Sequence, residues 1–457
     1  MADVRSLLAA AVGADNVLTG ADTAGYARDE TLGLAAAEPG FVVRPGSTAE
    51  VAEVMRIAAA HGLPITARGS GTGLSGGSVP GRDGGIIVSF ERMNRILEID
   101  TANHAAVVQP GVTLAALDEA AAARGLVYPV YPGEMSASLG GTIATNAGGM
   151  RAVKYGVTRN HVLGLEAVLA SGEVIRTGGM HVKTSTGYNL TQLIIGSEGT
   201  LALVTEATVR LYPRLPHQAT VLAPYGSLEQ VTGAVPRIMA SGLAPLTLEY
   251  IDLVTMAAIT EREDLDLGVP AAIRDAAQAY LVVMLEDRSG QGLTDGVGAL
   301  AELLDETGAA DVYVLPGAAA ARLITAREKA FWAAKEAGAD DIVDTVVPRA
   351  AMAGFLAEAG EIAGRHGVLV TGCGHAGDGN VHMALFAPDP GQRSQALREI
   401  FAAASARGGA ISGEHGVGTA KRGYFLELAD PAAVSLMRRI KAAFDPEGIL
   451  GPGVMLG

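Results

Sequence analysis

ARGSGTGLSGGSVPG, residues Ala67 to Gly81, is the stretch on which the fold turns. Gly71, Gly73 and Gly76 carry the spacing G-x-G-x-x-G of a dinucleotide fingerprint. That fingerprint also needs a helix opening at its last glycine, so that a positive helix end meets the pyrophosphate. The chain instead runs on from Gly77 to Gly85 as GSVPGRDGG, which cannot be helical. A Rossmann domain is therefore excluded. What remains is a long loop of N–H groups, with the hydroxyls of Ser70, Thr72, Ser75 and Ser78, suited to wrapping a pyrophosphate without a helix dipole. The plain alternative is a glycine-rich surface loop.

Around this loop the chain alternates strands with short helices. Val4 to Val12 reads as an amphipathic helix and Phe41 to Val43 as a strand. Ser47 with Glu50 forms a capping box ahead of Val51, Val54, Met55, Ala58 and Ala59, a helix ending at Gly62. Strands follow at 63–67, 85–89, 96–99 and 105–109, and Thr113 caps a helix through Ala123. A second polar, glycine-rich passage from Val127 to Gly164 has few helix signals. Two β runs around Ser171-Gly172 make a hairpin, and Leu201 to Leu211 alternates like a half-buried strand. The first 215 residues read as an α+β domain.

The composition is that of a globular protein, 49% hydrophobic and 18% charged over 457 residues, long enough for two domains with large cores. A formal net charge of −15 leaves no basic stripe for a phosphate backbone, so nucleic acid is not expected as a partner. The one cysteine, Cys373, rules out an internal disulfide, suits a reducing compartment, and reads as a small apolar residue of a buried strand rather than a ligand. No run of about 18 uncharged apolar residues occurs, and the amino-terminal stretch is too short and polar for a signal peptide. The expected location is cytoplasmic, peripheral to a membrane only through a partner.

The chemistry gathers near the carboxyl terminus, in TGCGHAGDGNVHMALF (Thr371 to Phe386) and SGEHGVG (Ser412 to Gly418). His375 and His382 stand seven apart, across Gly377 and Gly379, which does not suit one helix face. It suits a glycine-rich turn feeding a strand, NVHMALF, with Asp378 and Asn380 shaping the turn through side-chain to backbone hydrogen bonds. Two imidazoles with the Glu414 carboxylate make a ligand set for zinc or manganese that leaves positions open for a substrate. His415, next in the chain, has the ordinary pKa of a general base.

From His217 strands and helices alternate: 220–222, a helix over 228–239, 246–250, 279–285 and a helix through Leu304, with Glu261 to Asp275 as a solvated acidic excursion. Arg322 to Ala337 reads as one helix carrying Trp332 and Lys335.

The segments ARGSGTGLSGG, SLGGTIATNAGG, RAVKYGVTRNHVLGLEAVLASGEV, KTSTGYNL and IIGSEGTL resemble the flavin-binding domain of the vanillyl-alcohol oxidase type flavoproteins. GHAGDGNVH, GEHGVG and DPEGILGPG resemble the carboxy-terminal domain of one branch, the glycolate oxidase catalytic subunit, D-lactate dehydrogenase and D-2-hydroxyglutarate dehydrogenase group. The match runs in order along nearly the whole chain. It implies an α+β, two-part FAD-binding domain over residues 1–215, then an antiparallel-sheet-plus-helices substrate, or cap, domain over 216–457 whose last segment returns to the flavin.

The resemblance implies that the FAD pyrophosphate lies on the backbone of Arg68, Gly69, Ser70, Gly71, Thr72 and Gly73, with Leu74 and Ser75 following. It implies that Pro132, Ser138, Leu139, Gly140, Thr142, Asn146, Gly148 and Gly149 run along the ring and ribityl chain. Ile195, Gly196, Glu198 and Gly199 fall near the adenine side or the ring edge. No His or Cys stands between Arg68 and Gly85, so FAD is expected to be non-covalent. Where relatives show W-x-x-R, with the arginine on the substrate carboxylate, this chain has Lys335, which keeps the charge and loses the fork. Arg349, in a D-x-x-x-P-R turn begun by Asp344, is a second cation for that role, and Lys421 and Arg422 are further ones. Ala384 stands where relatives often have Asn.

The implied activity is oxidation of a D-2-hydroxy acid such as glycolate, D-lactate or D-2-hydroxyglutarate. His375, His382 and Glu414 hold a divalent metal, and His415 takes the hydroxyl proton. Electrons then leave to a quinone, a cytochrome, an electron-transfer flavoprotein or O₂, with a homodimer or accessory subunits as assembly options. The rival readings are a flavin-scaffold transferase of the alkyl-glycerone-phosphate synthase kind, a metal-dependent hydrolase, and an assembly subunit. The hydrolase leaves the glycine loops unexplained, and the assembly subunit has no need of the His and Glu set.

Overall fold

Phe41–Val43 and Ile65–Arg68 each pair in parallel with Ile86–Ser89, and Val17–Leu18 adds antiparallel to the outside of Phe41–Val43. The computed structural model describes residues 2–81 and 84–456; Arg82 and Asp83, within the loop tract read above as non-helical, lie outside the described residues. The helix Thr48–His61 covers this small sheet with Val51, Val54, Met55 and Ala58, all buried. Ser47 Oγ accepts from the Glu50 amide as expected. The Glu50 carboxylate reaches back one residue further than a capping box requires, to the Gly46 amide at 2.7 Å. Gly62, at φ 61°, ends the helix in the left-handed conformation that glycine tolerates.

The far edge of that sheet is closed by the carboxyl terminus. The Ile65 amide donates to Ile449 O at 2.7 Å and the Gly451 amide donates to Ile65 O at 2.8 Å. Asp445, almost fully buried, fixes this return by accepting from the Ile449 and Leu450 amides at 3.1 and 2.8 Å and pairing with Lys441.

A second, antiparallel sheet of five strands runs in the order Ile96–Asp100, Ala105–Val108, Leu203–Arg210, Val162–Val168 and Val174–Gly178. The hairpin expected around Ser171-Gly172 joins its last two strands. The glycine-rich passage read as poor in helix holds two short ones, Leu139–Thr145 and Ala152–Tyr155. The first forms because Ser138 Oγ accepts from the Gly141 amide at 3.3 Å, an N-cap that outweighs two glycines.

The third sheet has seven antiparallel strands in the order Tyr313–Val314, His217–Tyr225, Ala279–Asp287, Thr247–Asp252, Leu369–His375, Asn380–Phe386 and Asp341–Val346. Alternation along each strand divides its residues between two faces. Leu248, Tyr250, Leu281, Val283, Val343, Val381 and Met383 pack in one core with residues of the helices Leu228–Ala240, Gly290–Glu306, Met352–His366 and Pro390–Ala406. The opposite face carries Ile251, Tyr280, Val282 and Cys373 against the helices Leu253–Arg262 and Gly317–Glu328, and on the same face stand Glu249, His375, His382 and Asp344.

Two expectations are corrected here. The stretch Arg322 to Ala337 is two helices, Gly317–Glu328 and Ala330–Glu336, broken at Lys329. The acidic excursion is not all solvated: Leu265 is 8% exposed and packs in the cluster of Met256 and Ile259. Among the described residues no helix is long and apolar enough to cross a membrane.

Candidate active site

Strand register assembles the ligand cluster. His382 lies directly opposite Cys373, so His375, two residues on, shares its face of the sheet one position diagonally away. The neighbouring strands each bring a carboxylate alongside: Glu249 pairs in register with His375, and Asp344 with His382. His375 Nε2 and His382 Nε2 both point at Glu414 Oε1, at 3.2 and 3.3 Å. His375 Nδ1 lies 2.8 and 3.0 Å from the two oxygens of Glu249. With Nδ1–H donated to Glu249, a neutral His375 presents a bare Nε2 lone pair towards Glu414. Glu414 Oε2 and His382 Nδ1 are buried without a hydrogen-bond partner. Converging lone pairs and a buried, partnerless carboxylate oxygen fit a divalent cation between them.

Electrostatics agree. Burial opposes charge on His375, yet the Glu249 and Glu414 carboxylates outweigh it and raise its pKa well above the ordinary value. Burial also opposes charge on Glu414, and His375 reverses this, holding the carboxyl well below the usual range. A bound cation would take over the charge balance that a protonated imidazole otherwise supplies. Asp344, His382 and His415 form a second grouping close enough for a metal. It is the poorer one, because Asp344 Oδ2 already accepts from Ser412 Oγ and from the amides of Gly413, Glu414 and His415 at 2.8 to 3.1 Å.

Those bonds correct the expected role of Asn380. Asn380 does not shape the turn after His375; its Nδ2 donates to Asp344 Oδ1 and Thr345 O at 2.9 and 2.8 Å. Asp378 Oδ1 is buried with no partner, and burial pushes its carboxyl up to about 7. Its carboxylate accepts from the Asn380 amide, the side-chain to backbone bond expected of it, and the Asp378 and Gly379 amides bond to His375 O alongside. Asn380 and Asp344 thus hang the Ser412–His415 segment from the sheet. His415 stacks on His382 with centroids 5.2 Å apart, and burial pushes its imidazole down to about 4, helped by Lys421 and His382.

His415 and Glu414 also form part of the wall of a cavity of about 210 Å³ on the amino-terminal side. Its wall holds Arg68 through Ser75, Pro132, Ser138, Gly140, Thr142, Glu198 and Gly199, all named from sequence. Leu139, Asn146, Gly148, Gly149, Ile195 and Gly196 do not line it. Leu139 and Ile195 are core residues, and Asn146 accepts from the Arg159 amide. A Cβ on Gly148 would sit 3.0 Å from Glu414 Oε2, and one on Gly149 would overlap Tyr131 O, so both glycines admit close backbone approach behind the wall. Pro110, Ser197 and Ala202 to Val204 line the cavity and were not expected. Gly69 carries no side chain where a Cβ would overlap Ser138 Oγ. The Arg68 guanidinium donates to Ser78 O and Gly25 O. Glu198 accepts from the Val417 and Gly418 amides at 2.8 and 2.7 Å and so ties the cradle to the His415 segment. A loop of small residues with free amides and an apolar floor fits a flavin dinucleotide.

A second cavity, about 240 Å³, opens on the other side of the cluster and shares Thr72, Leu74, Pro132, Glu134, Glu414 and His415 with the first. Neither expected carboxylate clamp lines it. Lys335 pairs with Glu30 at 2.5 Å, and Arg349 is exposed and donates to Gly377 O. Lys421 is buried beside Asp344, and Arg422 donates to Gly453 O. The Lys or Arg in the wall, among the described residues, is Arg327, whose Nη2 lies 2.8 Å from Glu249. Cys373, buried in its strand, belongs to neither possible metal grouping.

Comparison with known proteins matches the chain to a flavin-binding family. The family model described as FAD linked oxidases, C-terminal domain, matches residues 214–455, and one described as FAD binding domain matches residues 39–178. The chain is 57% identical to an FAD-linked oxidoreductase of Mycobacterium tuberculosis over 100% of both. It is 37% identical to a D-lactate dehydrogenase of Archaeoglobus fulgidus over 94% of each. The 4-ethylphenol oxidase of Gulosibacter chungangensis superposes with a TM-score of 0.79 at 20% identity, covering 99% of this chain and 96% of that one.

Proposed function

The chain belongs to the FAD-linked oxidases, and on that footing we propose that it oxidises a D-2-hydroxy acid to the 2-oxo acid with zinc or manganese on His375, His382 and Glu414. The observation that carries this reading is the position of His415 and Glu414 in the walls of both cavities, between the ligand cluster and the flavin cradle.

Bound non-covalently in the cradle, FAD supplies a hydride acceptor at N5. A cation on the cluster supplies Lewis acidity towards the hydroxyl and carboxylate oxygens. The chain's residues do the rest. His415, kept neutral by burial, is placed to accept the hydroxyl proton, and a bound flavin would supply the acceptor for the hydride that C2 must give up as the C2=O bond forms. Glu249 fixes the tautomer of His375, and Arg327 balances the charge of Glu249. Leu74 and Pro132, in the walls of both cavities, keep the passage between them apolar.

The test is anaerobic bleaching of the purified yellow protein by paired D- and L-2-hydroxy acids, before and after metal removal verified by elemental analysis. Bleaching by the D series alone, lost with the metal and restored by zinc or manganese, is the expected result. Bleaching that survives complete metal removal would eliminate the cation's role, and a flavin that no 2-hydroxy acid reduces would eliminate the activity.

A further inference from the structure

The second cavity changes character within two rungs of the sheet. Cys373 faces His382 and Asp344 on the rung of the ligands; the next rung outward is Thr371, Ala384 and Ile342, and the one after is Leu369 with Phe386. Residues two apart on a strand are about 7 Å apart, so the wall is apolar from one rung beyond the metal ligands outward. The Thr371 hydroxyl is no exception, because it donates to Asp252 at 2.8 Å. Phe331 and Trp332, on the short helix after the break at Lys329, close the opposite wall.

The charged residues of the wall point the same way. Arg327 stands within ion-pair distance of Glu249, at the ligand end of the cavity, with its Nε and Nη2 making no hydrogen bond, and the other charged side chains outside the His and Glu cluster are the carboxylates Glu30, Glu134 and Glu328. A second carboxylate on a substrate's tail would meet Glu134 and Glu328, and a Glu30 already held by Lys335, while the one guanidinium of the wall among the described residues lies beside Glu249 at the head-group end. At the mouth, Val254 and Leu369 are 54% and 55% exposed, on a helix and strand joined by the contact of Thr255 with Thr371 at 3.2 Å. Apolar side chains therefore continue from the ligand cluster to solvent.

We infer that the substrate is a monocarboxylic 2-hydroxy acid with an extended apolar side chain, seated along Ala384, Ile342 and Phe386 with its tail leaving between Val254 and Leu369. This inference rests on the proposed reaction for the head group and on the cavity alone for the tail. Ile342 and Ala384 are then the specificity-determining positions.

Trp332, the chain's one tryptophan, lines the cavity and reports occupancy without turnover. Holoenzyme is titrated with straight-chain carboxylates and D-2-hydroxy acids of three to ten carbons, reading Trp332 fluorescence and the flavin difference spectrum, alongside anaerobic flavin reduction. The expected result is saturable binding that tightens about fourfold per added methylene until the tail reaches the mouth. D-2-hydroxyoctanoate should reduce the flavin at least a hundredfold more efficiently than D-lactate or D-2-hydroxyglutarate. Ile342→Lys should reverse the preference between D-2-hydroxyoctanoate and D-2-hydroxyglutarate. If that variant loses its flavin, the smaller change Ala384→Asn should still lower the octanoate-to-lactate ratio. Flavin reduction that favours D-lactate or D-2-hydroxyglutarate, with binding indifferent to chain length, overturns the inference and leaves the proposed reaction standing. Chain-length-dependent binding without any flavin reduction leaves the apolar tail site standing and removes the reaction, and with it the 2-hydroxy-acid head group. No saturable response at any chain length overturns the inference outright.

Discussion

Glu249 holds His375 by its Nδ1 at 2.8 Å, from the adjacent strand and fully buried, with Arg327 on the other side of the same carboxylate. With a cation bound, the pair would make the imidazole a ligand rather than a base, because Glu249 would keep the one remaining proton on the nitrogen facing away from Glu414. Glu249→Gln should therefore weaken metal affinity by about 10- to 100-fold while flavin content stays near that of the parent. Competition with a chromogenic chelator measures the first quantity and the ratio of 450 to 280 nm absorbance the second. Unaltered metal affinity would remove the orienting role.

His415 stacks on His382 and forms part of both cavity walls without being one of the three proposed ligands. His415→Ala should keep metal and flavin and lower the rate of substrate-driven flavin reduction by about 10²- to 10⁴-fold. Because burial holds this imidazole near 4, and a neighbouring cation pushes the same way, the acid limb of that rate should fall near or below 4. A limb near 6.5 would identify an unperturbed histidine as the base. Stopped-flow reduction across pH decides between them.

Gly69 can have no side chain because Ser138 Oγ occupies the place of its Cβ. Gly69→Ala should lose most bound FAD without unfolding, as read by flavin absorbance and far-ultraviolet circular dichroism. Adding Ser138→Gly should restore part of the flavin, since glycine is a tolerated N-cap and the overlap is with the hydroxyl. No recovery in the double variant would place the defect elsewhere.

His161 is fully buried between Tyr128 and Tyr212, and burial lowers its pKa to about 4. In the unfolded chain it titrates near 6.5, so the unfolded state binds the extra proton between those values. Its contribution to stability is complete above about pH 6.5 and is lost as pH falls towards 4, to the extent of about 3 kcal/mol. Denaturant melts of His161→Phe should show a shallower fall over that window than the parent. Parallel slopes would exclude His161 as the source.

What could be read in advance follows from the range of the signals. The strand Asn380–Phe386 and both histidines were legible, because a glycine-rich turn followed by a short apolar run is a local fact. Glu249 was not, although a charged residue in the apolar run TLEYI was the available signal; its meaning comes from strand pairing 126 residues away. Arg327 was passed over for Lys335 because the break at Lys329 separates the two helices, leaving Arg327 in the cavity wall and Lys335 on Glu30. Within the flavin cradle, the loop Arg68 to Ser75 was read residue by residue. The helix Leu139–Thr145 was missed because one serine cap decides against its glycine content.

The pairing of Ile65 with Ile449 and Gly451 has a biosynthetic consequence. During translation the amino-terminal sheet emerges with an open edge that the codons for Ile449 to Gly451 cover only much later, and Glu198 likewise waits for the amides of Val417 and Gly418. A nascent chain stalled short of those codons can offer neither a sealed edge nor a finished cradle. A finished cradle thereby requires synthesis to have passed Gly451, a condition that shorter fragments do not meet.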